Sequence, residues 1–142
     1  MKKFIAVVVF VSVVFSLMFF YTAKEQTRET ELEPLPEIPA PDTVTMVNLG
    51  ADSCLPCKMM QPVLEELRAK YQKQVSIPFI DVDVYKEQMS RFRVTSIPTQ
   101  IFYDHLGEER FRHTGFMEKE AVTEVLDELL REQSSTDSRA SG

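Results

Sequence analysis

Asp52-Ser53-Cys54-Leu55-Pro56-Cys57-Lys58 holds both cysteines of the chain. Two are too few for a disulfide scaffold or for a zinc site made of cysteines alone. Just before this stretch, residues 44–49, Val-Thr-Met-Val-Asn-Leu, form a short apolar run that fits a buried strand. After it, Met60, Leu64, Leu67 and Tyr71 recur at helical spacing across residues 57–72, with Val63 beside them. The cysteines therefore fall where a strand hands over to a helix. Pro56 suits a first helical turn, where its missing N–H is not needed. Cys54 then lies at the helix N-terminus, where free N–H groups and the macrodipole favour a thiolate. Cys57, one turn on, is placed to attack a mixed disulfide formed on Cys54. The spacing supports a reversible dithiol.

Working outward, residues 75–82 read as a second strand, 85–92 as a short helix, and 99–103 and 110–113 as two further strands. The segment 104–108 around Gly107 reads as a hairpin turn between those two. A last helix over 118–131 carries Val122, Val125, Leu126, Leu129 and Leu130 on one stripe. The order βαβαββα predicts an α/β fold, a mixed sheet with helices on both faces. Pro78 cannot donate to a sheet ladder, so the second strand is expected at an edge.

The 142 residues carry 16 Lys plus Arg against 22 Asp plus Glu, a net charge of −6 that offers no footprint for nucleic acid. The charge is uneven along the chain. Residues 1–21 combine the basic pair Lys2 and Lys3 with an uncharged run from Phe4 to Tyr21, long enough to cross a bilayer as a helix. Tyr21-Thr22-Ala23 is a poor cleavage site, which favours an uncleaved anchor over a signal peptide. The positive-inside rule keeps the N-terminus cytoplasmic and sends the rest outside. Residues 22–42, with four prolines and six acids, are expected to be an extended spacer. Residues 43–131 form the globular domain, and the tail 132–142 is expected to be disordered.

Cys-x-x-Cys can also be half of a zinc site. The second half is missing, because the only histidines, His105 and His113, have no short-range ligand spacing with the cysteines. A Cu(I) metallochaperone using the same two thiolates is an alternative of another class. Met59 and Met60 read as core rather than as soft-metal ligands.

Residues 43–131 resemble the thioredoxin superfamily through Ala51-Asp52-Ser53-Cys54-Leu55-Pro56-Cys57-Lys58-Met59, Pro62 in the following helix, Ser96-Ile97-Pro98-Thr99, and Gly115 before the last helix. The resemblance implies that Cys54 attacks, Cys57 resolves, and Pro98 is held in cis beside them, with the backbone of Ile97 offered to a substrate strand. It implies no cofactor beyond a redox-active Cys54–Cys57 disulfide. Ser53, Leu55, Pro56 and Lys58 form the active-site environment, and within it Ser53 departs from the family's usual tryptophan. Asn48 stands at the family's buried acid and Phe79 at its lysine partner. The family's first strand and helix have no room before residue 43. With its apolar N-terminus, the chain looks like the membrane-tethered thioredoxin-like proteins of bacterial cell envelopes. That likeness implies a single-pass inner-membrane protein whose domain faces the periplasm or cell exterior. It would draw electrons from a transmembrane thiol carrier and reduce protein disulfides, apocytochromes c among them. A thiol oxidase is the alternative within the same chemistry.

Overall fold

The computed structural model describes residues 10–19 and 34–140. Residues 10–19 are helical and belong to a separate unit, with Phe10, Phe15, Met18 and Phe19 exposed. No helix among the described residues is long and apolar enough to cross a membrane. The remainder of the apolar run, residues 4–9 and 20–21, lies outside the described residues.

In the second unit, β1 (Val44–Gly50) is buried along its whole length and is the central strand. It pairs in parallel with β2 (Val75–Ser76) and β3 (Phe79–Asp81) on one side, and antiparallel with β4 (Thr99–Tyr103) on the other. A hairpin joins β4 to β5 (Glu109–Thr114), with Gly107 at a φ of 81° in the turn. A side chain at that φ is unfavourable, so glycine suits the place. The single strand expected over 75–82 is split at Ile77-Pro78. Proline removes the ladder donor there, and Arg68 Nε donates to the Ile77 carbonyl at 3.0 Å. Among the described residues nothing pairs with the outer side of β2 and β3, so Pro78 does mark an edge.

Side chains alternate across β1, and the two faces bury different clusters. Val44 and Met46 pack with Phe102 under α1 (Leu55–Tyr71) and α3 (Lys119–Ala140). The expected stripes do this packing: Met60, Leu64, Leu67 and Tyr71 from α1, and Val122, Leu126 and Leu129 from α3, are all buried. On the other face Val47, Leu49 and Ile101 pack with Phe92 and Val94, next to the short α2 (Glu87–Arg91). Helices thus cover both faces of a mixed α/β sheet.

Two boundaries differ from the sequence expectation. The spacer gives way to folded chain before residue 43, because Leu35 and Ile38 pack into the second cluster. Arg91 donates to the Ile38 carbonyl at 3.3 Å and the Ala40 N–H to Thr45 Oγ1 at 3.0 Å. Leu35 and Ile38 thus cover part of this face of the sheet; among the described residues no strand precedes β1. The tail expected to be disordered from Glu132 continues α3 to Ala140. Its hydroxyls stay within the helix: Ser134, Thr136 and Ser138 each donate to the carbonyl four residues back.

Candidate active site

β1 ends at Gly50, and the chain turns through Ala51–Ser53 into α1. Cys54 is the N-cap of α1, in extended conformation (φ −96°, ψ 118°), with Leu55 and Pro56 as the first two helical residues. Its sulfur accepts the Cys57 N–H at 3.3 Å, and its carbonyl accepts the Lys58 N–H at 3.1 Å. Cys54 and Cys57 are joined in a disulfide. Their exposures differ: Cys54 is half-buried, whereas Cys57 is 1% exposed. In the reduced pair, the N–H that points at Cys54 and the helix end behind it both favour a thiolate there. Cys57 has the drier position.

Gly50 makes room for Cys57. A Cβ on Gly50 would stand 2.9 Å from Phe79 Cε2, 3.3 Å from Cys57 Cβ and 3.4 Å from Cys57 Sγ. Ser53, where the family usually has tryptophan, donates through Oγ to Asp83 Oδ2 at 2.9 Å, which ties the loop to the chain after β3. Leu55 is 72% exposed and Met59 52%, so Met59 is not the core residue expected, while Met60 is. Pro62 lies inside α1 without ending it.

The Ile97–Pro98 bond is cis. Leu49 pairs with Thr99, which puts Pro98 at the end of the sheet where β1 delivers the cysteines. Ile97 and Cys54 pack against the same cluster. The Pro98 carbonyl accepts the Gly115 N–H at 2.7 Å.

Asn48 and Phe79, the positions matched to the family's buried acid and its lysine, are cross-strand partners. Sequence reasoning missed the third member of this group, Gln100, whose Nε2 donates to Asn48 Oδ1 at 2.8 Å. Its signal was a glutamine inside a strand whose five residues are all buried. His113 is half-buried beside Gln100 in the ladder, with its Nε2 3.2 Å from the Phe116 carbonyl. Among the described residues, no three His, Cys, Asp or Glu side chains form a group that could hold a metal ion.

A cysteine pair bridging the first turn of a helix, at the end of a mixed sheet and level with a cis-proline, defines a dithiol–disulfide exchange centre. The family model Thioredoxin matches residues 25–128, and the chain belongs to the thioredoxin family. A thioredoxin of Staphylococcus aureus is 41% identical over 87 residues, 61% of this chain and 83% of the relative. A thioredoxin of Staphylococcus haemolyticus is 42% identical over the same shares. Among solved structures, a mutant thioredoxin from Halobacterium salinarum aligns with a TM-score of 0.55 at 28% identity, over 61% of this chain and 74% of that one. The chain is a thiol-disulfide oxidoreductase whose redox couple is its own disulfide.

Proposed function

We propose that the chain is a membrane-tethered reductase of protein disulfides, with Cys54 as attacking thiol and Cys57 as resolving thiol. The observation that carries the assignment of roles is the difference in exposure of the two sulfurs across the first turn of α1. A partner disulfide reaches Cys54 first, and the thiolate at the helix N-terminus attacks it. A mixed disulfide forms and one partner thiol leaves. Cys57 then attacks the Cys54 sulfur and releases the second partner thiol. Exposed Leu55 and Met59 on the first turns of α1 offer apolar surface beside the pair, and the backbone of Ile97 is the place for an extended substrate segment.

The apolar run from Phe4 to Tyr21 behind Lys2 and Lys3 supports the tether, the cytoplasmic N-terminus and a domain on the far side of a bacterial inner membrane. There, a transmembrane thiol carrier is the reductant, and envelope proteins, apocytochromes c among them, are the substrates. The test is the reduction potential of the full-length chain in glutathione and dithiothreitol buffers. A value near the thioredoxin end, about −270 mV, supports a reductase, and one near about −120 mV overturns that direction in favour of an oxidase. Cys57→Ala should accumulate mixed disulfides in membranes, and their absence would remove the resolving role.

A further inference from the structure

Asn48 and Gln100 are polar side chains in otherwise apolar strands, both fully buried and directly opposite one another in the β1–β4 ladder. The single bond from Gln100 Nε2 to Asn48 Oδ1 leaves Asn48 Nδ2 and Gln100 Oε1 without a partner. A buried unmet donor costs about 1–3 kcal/mol, so a free donor at this depth calls for a use. Its position supplies one. Asn48 and Gly50 lie on the same face of β1, and the Cys57 sulfur fills the space that a side chain at 50 would take. The next side chain along that face is Asn48, about 6.6 Å of strand away. Phe79 pairs with Asn48, and its ring reaches the same point beside Gly50.

We propose that the Asn48 Nδ2–H donates a hydrogen bond to the Cys57 thiolate as it forms, directly or through one bridging water, and that Gln100 is the positioning residue that fixes the amide. The inference rests on Cys57 being the resolving thiol. In that step the Cys57 S–H gives its proton to solvent, and the thiolate attacks Cys54 Sγ. The Cys54–partner bond breaks, and the partner sulfur leaves with the electron pair and takes up a proton. The dithiol is oxidised and the partner disulfide reduced, with two protons conserved. An amide donor lowers the pKa of the buried thiol, whereas a carboxylate in the same place would raise it by like-charge repulsion. Other charged groups stand further out. Asp52 and Lys58 are exposed, and Asp81 and Asp83 bind the Asp83 N–H and Ser53 Oγ respectively. His113, on the Gln100 side, turns to the Phe116 carbonyl.

The experiment mixes the reduced full-length chain with 5,5′-dithiobis(2-nitrobenzoate) and follows release of the coloured thiolate across pH. The first phase reports attack by Cys54 and serves as internal reference, and the second reports resolution by Cys57. Asn48→Leu should slow the second phase about tenfold at neutral pH and move its profile up by about one unit. Gln100→Leu should do the same to a smaller extent, and it carries the test where Asn48→Leu does not fold. An unmoved second-phase profile in Gln100→Leu and Asn48→Leu overturns the proposal. Loss of both phases in the unaltered chain would instead overturn the exchange reading on which it rests.

Discussion

Asp104 and the Asn48–Gln100 pair, buried at opposite ends of the sheet, are satisfied to different degrees. At the hairpin end Asp104 is 4% exposed, and both of its oxygens are engaged. Oδ1 accepts the Leu106 and Glu108 N–H groups at 3.0 and 2.9 Å, and Oδ2 accepts Arg110 at 3.1 Å. At the cysteine end Asn48 and Gln100 share one bond and leave one atom each unmet. Asp104, which holds the turn, is saturated by its neighbours, while Nδ1 of His105 beside it has no partner. A polar pair beside a reacting sulfur keeps capacity for a charge that exists only during the reaction.

The contrast can be broken from either side. The largest effect belongs to Cys54→Ala, which should abolish insulin-disulfide reduction while leaving the fold intact, since the sulfur is half-buried and the N-cap loses a single bond. Retained turnover would refute the exchange mechanism at this pair. Next, Asp104→Ala should cost about 2–3 kcal/mol in urea unfolding at neutral pH, because it orphans backbone donors and a charge-assisted bond. It should leave the potential of the cysteine pair unchanged. Burial alone would raise the Asp104 pKa, but the Glu108 N–H, Arg110 and the Leu106 N–H together hold it below the usual carboxylate value. A depressed folded pKa stabilises above the unfolded one, so this contribution is present at neutral pH and lost as pH falls through and below the ordinary Asp range. The difference between variant and parent should shrink accordingly in an acid titration. Smaller again, Gly50→Ala presses a methyl on Phe79 and Cys57 and should cost about 1–2 kcal/mol. Unlike the Asp104 change, it should also alter the potential.

The cysteine site was largely legible because its chemistry is local: a strand end, a capping sulfur and a proline in the first turn follow one another in sequence. Pro78 disclosed the edge for the same reason, since a missing donor acts wherever it stands. Leu35 and Ile38 were hidden by their proline- and acid-rich surroundings, although two apolar side chains suffice to pin a short segment to a sheet. The helical continuation beyond Glu132 was hidden because its stabilising bonds are made by serines and a threonine to their own helix, which leave no apolar period. Gln100 escaped because its meaning lies in its partner. Only the register of β1 against β4 puts it opposite Asn48, and no spacing along one strand carries that.

The interrupted edge of the sheet bears on the company this protein keeps. A protein-disulfide exchanger meets other polypeptides, and an extended segment of any of them can add itself to an open row of backbone donors and acceptors. Here that row is two residues, a proline gap, and three residues more, with an arginine on the carbonyl at the break. Clients can exchange sulfur bonds at one end of the molecule without zipping along this border, which leaves the six residues of β5 as the longer open edge of the sheet among the described residues.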